Sequence, residues 1–218
     1  MRNDSRAARQ QIGLMMFAVL LAFAAPLAGC GGPGSTVAEN WRDPSWSGPA
    51  IKNMLVMVVR KDPVRRRQWE DVFVAALQKR HVLASPSYRA FPDSVPSEAI
   101  LQQTMMDSAF EGILLSRSTG IKQSQNEAPS STSTVSSGVQ WSTFYGMYIT
   151  AYNTVYVPGY RESGLIVTNE ITIWDARKDG QMVWSASTAT QNPTDAKALR
   201  QEVTALIVPG LARDGIIP

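Results

Sequence analysis

Met54-Leu55-Val56-Met57-Val58-Val59, followed at once by Arg60-Lys61-Asp62-Pro63, is the stretch that decides the fold. Six apolar residues in a row show no two-residue alternation. A strand made of them is buried on both faces, as strands of parallel sheets are. Asp62 can cap a helix, and Pro63 suits the first helical position, where its missing N–H is no loss. Trp69, Val72, Phe73, Ala76 and Leu77 then recur at helical spacing. They predict an apolar face on a helix over about 63–80. Arg65, Arg66 and Arg67 fall in its first turn, where positive charge opposes the helix dipole.

Downstream the same order repeats. His81-Val82-Leu83-Ala84 opens a second strand that runs toward Tyr88, with His81 placed to cap the preceding helix. Pro92, Pro96 and Ser97 punctuate the approach to a second helix over about 97–110. Ile100, Leu101, Met105 and Ala109 mark its buried side. Gly112 ends it, and Ile113-Leu114-Leu115 is a third strand. Strand and helix in βαβαβ order predict right-handed crossovers and mainly parallel pairing.

The order then breaks. Residues 118–138 hold ten Ser or Thr among 21 and read as a flexible polar segment. Residues 139–160 follow with Trp141, Phe144, Tyr145, Tyr148, Tyr152, Tyr156 and Tyr160, seven of the chain's 18 aromatics. Ile149, Thr150, Thr154, Val155 and Val157 favour a strand from about 147 to 157. On that reading Tyr148, Tyr152 and Tyr156 share its outer face. A helix over 141–152 also fits the spacing, and 139–147 stays open. Exposed Tyr rings suit binding surfaces, so Trp141, Tyr145, Tyr148, Tyr152 and Tyr156 are the candidate surface. The alternative for these rings is internal packing.

Val167, Ile171 and Ile173 alternate with Thr168, Glu170 and Thr172, and Asp179-Gly180 signals a turn. Met182–Thr190 returns as the partner strand. Asp195 starts a last helix with Leu199, Val203, Leu206 and Ile207 on its apolar face, and Pro209-Gly210 is expected to end or kink it. The fold class is therefore α/β (α+β). A βαβαβ half precedes an antiparallel meander and a C-terminal helix, giving one mixed sheet with three helices and an insertion at about 118–160.

The N-terminus carries an address. Arg2, Arg6 and Arg9 precede the uncharged run 12–25, which is too short for an easy membrane span. Basic start, short apolar core and small residues make residues 1–29 a signal peptide. Leu27-Ala28-Gly29-Cys30 resembles the bacterial lipobox at all four positions. That resemblance implies cleavage between Gly29 and Cys30, a thioether-linked diacylglycerol on Cys30 and an acyl chain on its new amino group. The chain's single Cys stands where it would be consumed. Gly31 after it, rather than Asp, implies the periplasmic face of the outer membrane in a Gram-negative host. Residues 30–50, rich in Gly, Pro and Ser, read as a lipidated Cys and flexible tether, with Trp41 and Trp46 either packing back on the domain or meeting lipid. Residues 51–218 form the single domain.

Whole-chain charge is +3, from 21 basic and 18 acidic residues. Residues 1–29 remove three Arg and one Asp, which leaves 18 basic, 17 acidic and a net +1. Near-neutrality argues against a nucleic-acid partner. Lipobox, Trp-containing tether, Val-rich first strand, the helix Arg66-Arg67-Gln68-Trp69-Glu70-Asp71-Val72-Phe73, Tyr-rich insert and the hairpin 173–188 together resemble a group of proteobacterial envelope lipoproteins. The order of elements is also similar to the N-terminal domain of TolB and to periplasmic lipoproteins that activate peptidoglycan synthases. Such fold-level likeness transfers no function. The resemblance supplies no catalytic residues.

Little chemistry is legible. His81 is the only His, so no His-pair metal motif exists, and no phosphate-binding Gly loop or Gly-x-Ser-x-Gly elbow occurs. Asp107, Glu111 and Glu170 are the carboxylates available for glycoside chemistry, a low-weight hydrolase alternative. No cofactor is expected beyond the acyl groups on Cys30. The expectation is a non-enzymatic, membrane-anchored accessory that docks onto an envelope protein. The alternative is a peptidoglycan-binding or other glycan-binding module using the Tyr face, and an exposed hairpin edge allows a homodimer.

Overall fold

The computed structural model describes residues 34–92, 96–123, 141–153, 165–177 and 180–218. The signal peptide, the lipobox Leu27–Cys30, most of the Ser/Thr segment, Tyr156 and Tyr160 lie outside them. Six strands form one mixed sheet, β1 (Gly34–Arg42), β2 (Asn53–Val58), β3 (Leu83–Pro86), β4 (Gly112–Gln123), β5 (Leu165–Asp175) and β6 (Gln181–Gln191). Their order is β1-β6-β5-β4-β2-β3. β2 pairs parallel with β3 and β4, and the other neighbours are antiparallel. Four helices flank it, α1 (Pro63–Gln78), α2 (Glu98–Asp107), α3 (Trp141–Asn153) and α4 (Ala196–Arg213), one more than the sequence predicts.

The βαβαβ half stands as expected. The Asp62 carboxylate accepts from the N–H groups of Val64 and Arg65 and starts α1. Leu77, His81 and Val82 close it. His81 adopts φ 61°, its N–H donates to the Gln78 carbonyl, and the Val82 N–H donates to the Leu77 carbonyl. This is a Schellman C-terminus with His at the position Gly usually takes. His81 thus ends the helix through its backbone rather than as a charged cap.

The chain steps from β2 to β3 in one direction and from β3 back past β2 to β4 in the other. Right-handed crossovers then put α1 and α2 on opposite faces. One face packs Met54, Val56, Val58, Ile171 and Ile173 under α1 and α4, through Trp69, Phe73, Val203 and Ile207. The other packs Leu55, Met57, Ile113 and Leu115 under α2 and α3, through Leu101, Met105, Phe144 and Tyr148. Ile100 and Ala109, expected on the buried side of α2, are exposed.

Three expectations are corrected. Residues 30–50 are not a plain tether, because Gly34–Arg42 is a nine-residue edge strand on β6. Trp46 is buried, and Trp41 packs partly buried against the second core. β4 runs on to Gln123, so the insertion begins later than residue 118. α4 continues through Pro209 to Arg213. The carbonyl that Pro209 leaves without a helical donor belongs to Ala205 on the exposed side, while Val208, Leu211, Ile216 and Ile217 stay buried.

Candidate functional site

The Tyr cluster does not form the expected strand face. Residues 141–153 are α3. Phe144, Tyr148 and Ala151 lie four and three apart and turn inward. Phe144 stacks on Tyr148 with centroids 6.4 Å apart and meets the edge of Trp174 at 5.1 Å. Tyr148 is 4% exposed, and burial pushes its hydroxyl up to about 12. Tyr145 and Tyr152 are half-buried against the same core, and Trp141 begins the helix. Tyr148 is therefore a core residue, and Tyr156 lies outside the described residues. The β-branched residues Ile149 and Thr150 drew the reading toward a strand; the aromatic surface offered by Trp174 overrides that propensity.

Open α/β sheets bind ligands beyond the carboxyl ends of their strands, where crossovers reverse direction. Here that point lies between β2 and β4, and beside it, toward β3, stands Glu70 of α1. Its side chain is fully buried and accepts from the Val58 N–H (3.2 Å), Arg66 Nε (3.0 Å), Ser87 Oγ (2.7 Å) and the Tyr88 N–H (2.9 Å). Arg66 also donates to the Phe91 carbonyl and Ser87 Oγ. This pair spends its bonding capacity on the fold. On the β4 side, Arg60 donates to the Val59 carbonyl and Asn169 Oδ1 and lies over the Trp69 ring.

The other candidate carboxylates have structural partners too. Glu170 pairs with Arg117. Glu111 accepts from the Lys52 N–H at 2.6 Å and faces Arg177 at 3.8 Å. Asp107, at the end of α2, accepts from Gln103. Glu111 stands beyond the helix in the approach to β4, so the two do not share a helix face. Among the described residues no group of three or more His, Cys, Asp or Glu could hold a metal, and no helix is long and apolar enough to cross a membrane.

Sequence reasoning missed a fully satisfied carboxylate at the opposite end of β5. Asp175 is buried. It takes Trp46 Nε1 at 2.9 Å, and Arg177 Nε and Nη2 each at 2.9 Å in a fork. Burial alone would raise its pKa, but the bonds from Arg177 and Trp46 outweigh that and lower it. Gly112 is required beside it, since a Cβ there would meet Ile51 Cδ1 and the Trp174 carbonyl at 2.9 Å. The Asp179-Gly180 turn signal is the legible mark of this end of the hairpin, and Gly180 takes φ 73°.

The clefts among the described residues include the following two. One of about 470 Å³ lies between Met105, Met106, Phe110 and Arg177. The other, about 410 Å³, runs between β1 and α4 and is lined by Val37, Ala38, Trp184, Leu206, Ile207 and Arg213 among others. One of its walls is β1, an edge strand of the sheet. Residues Thr36–Asn40 of β1 are exposed, with Val37 44% exposed.

These features define a mixed α/β domain with a long edge strand and structurally committed carboxylates. Solved structures similar to this chain include the PelC dodecamer from Paraburkholderia phytofirmans, at 14% identity over 82% of this chain and 95% of that one, with a TM-score of 0.43. Lipoprotein GNA1162 from Neisseria meningitidis is similar at 13% identity over 76% of this chain and 99% of that one, with a TM-score of 0.38. No protein-family model matches the chain, and no curated protein does.

Proposed function

We propose that this chain is a lipid-anchored, non-enzymatic accessory of the bacterial envelope that docks onto another envelope protein through β1. One observation carries this reading. β1, one of the sheet's two edge strands, begins at Gly34, four residues after the lipobox Cys30. Four residue steps span at most about 14 Å. A domain anchored at Cys30 is thus held close to its membrane, with an edge strand as the nearest element. An extended segment of a partner can pair with the free side of β1 and lay alternate side chains into the β1–α4 cleft. In a Gram-negative host the outer membrane is the expected address, from Gly31. The burial of Tyr148 takes one ring from the surface that the glycan reading needs, while Tyr145 and Tyr152 are half-buried.

A photocrosslinker at Val37 in the native host tests the docking, with a control at exposed Met106. A discrete protein adduct from Val37 alone is expected. Equal adducts at both sites, or none at Val37, would remove β1 as the docking edge. Cys30→Ala should block processing and membrane retention. If the variant is still cut after Gly29 and stays in the membrane, the lipobox reading is wrong.

A further inference from the structure

We propose that the end of the sheet bearing the first turn of α1 rests on anionic lipid headgroups, so that the domain is held to its membrane by charge as well as by Cys30. The inference depends on the lipidation of Cys30. It starts from strand direction. β2, β4 and β6 run the same way and β1 runs against them, so β1 begins at the end where β2 finishes. Gly34 pairs with Gln191, and Gln191 with Ile166, while Val58 lies in the row of Ser116 and Ile171. Measured along β5, the row of Gly34 lies five residues, about 17 Å, beyond the row in which β2 ends. Gly34, the start of β1, and the start of α1 thus lie toward the same end of the sheet. α4 starts there too, since Glu202 bonds Ser35 while Asp214 bonds Asn40.

That end is basic. Residues 60–67 hold five Lys or Arg against one Asp. Arg60 and Arg66 turn inward, as described. Lys61 and Arg67 are exposed, and the Arg65 side chain is 42% exposed. Arg89, just past β3, and Lys197, in the first turn of α4, are exposed as well. Val64 stands among them, 60% exposed. α1 has no acidic residue in its first turn; the Asp62 cap lies 3.5 Å from Arg65, and Glu70 holds Arg66 at 3.0 Å. Positive charge at a helix N-terminus is unfavourable in water. An anionic surface facing that turn compensates both the guanidinium groups and the helix dipole. Lys79 and Arg80 sit at the other end of α1, where the dipole already favours them. Position as well as charge thus selects the first turn. Polybasic contact with anionic lipid is a recognised second signal beside an acyl anchor.

The test uses the full, lipidated protein reconstituted in vesicles. Cys30 is the only native Cys, so Val64→Cys or Met106→Cys accepts a single fluorophore. A headgroup-located nitroxide lipid reports proximity. In vesicles with about 30% phosphatidylglycerol, the probe at 64 should be quenched about threefold more than the one at 106. That difference should vanish in phosphatidylcholine alone, in about 0.5 M NaCl, and in Lys61→Gln/Arg65→Gln/Arg67→Gln. An unchanged urea midpoint for the triple variant shows that it still folds. Equal quenching of both probes in anionic vesicles overturns the proposal, as does a difference that persists in phosphatidylcholine. Protein that remains with neither kind of vesicle would instead overturn the Cys30 anchor, and this proposal with it.

Discussion

The indole N–H of Trp46 donates to the Asp175 carboxylate across 129 residues of chain, at 2.9 Å in a buried setting. It ties the segment between β1 and β2 to the end of β5. Trp46→Phe keeps most of the packing and removes one bond to a charged acceptor, a loss of about 1.5–3 kcal/mol. Urea unfolding should show a lowered midpoint with an unchanged slope. A variant as stable as the parent would mean that the bond is not formed in solution.

Tyr148 separates a packing role from a surface role. Tyr148→Ala empties a core position against Phe144 and should cost about 3–5 kcal/mol, while Tyr148→Phe should cost far less. Absorbance titration offers a second check. Exposed tyrosines ionise near pH 10, whereas Tyr148 should stay protonated until about pH 12 or until the fold opens. Six tyrosines titrating together near pH 10 in folded protein would contradict its burial.

His81 holds a left-handed backbone that Gly adopts without strain. His81→Gly should stabilise the domain by roughly 1 kcal/mol, because removing the Cβ relieves φ 61° at a position where the native turn favours Gly. Thermal unfolding would show a raised Tm. A fall in Tm would mean that the imidazole makes a contact worth more than the strain.

Asp43, Asp175 and Asp214 carry lowered pKa values although burial opposes the shift in each. Ser45 and Gln181 outweigh burial at Asp43, Arg177 and Trp46 at Asp175, and Arg213 and Trp184 at Asp214. A carboxyl with a depressed folded pKa contributes stability in full above its unfolded value, about 3.9, and loses it as pH falls through the folded value. The urea midpoint should be flat from pH 7 to about pH 5 and drop steeply below about pH 4. Asp175→Asn should start from a lower midpoint and lose less on acidification. A midpoint unchanged down to about pH 3 would refute the assignment.

The parts of the fold that were legible are those where one physical signal dominates. The doubly buried run 54–59, the Asp62 cap and the Val167–Ile171–Ile173 alternation each left a single reading. β1 left none, because an edge strand exposed over Thr36–Asn40 shows no apolar period. α3 left two, since 141, 145, 148 and 152 suit a helix while Ile149 and Thr150 suit a strand. Only the Trp174 surface, more than 20 residues away in sequence, decides between them. The Arg66–Glu70 spacing was visible, yet nothing local reveals that both side chains turn in toward Ser87.

β1 has a bearing on how the chain acquires its structure. Ser35 meets Thr190, and Gly34 meets Gln191, so the first strand to emerge finds its only neighbour in the last. Closing so long a loop is entropically slow, and contacts this distant in sequence delay folding. β1 should therefore dock late, after β4, β5 and β6 have assembled. Until then both β1 and the outer side of β6 are unpaired edges, where a chaperone or a partner strand could intercept them.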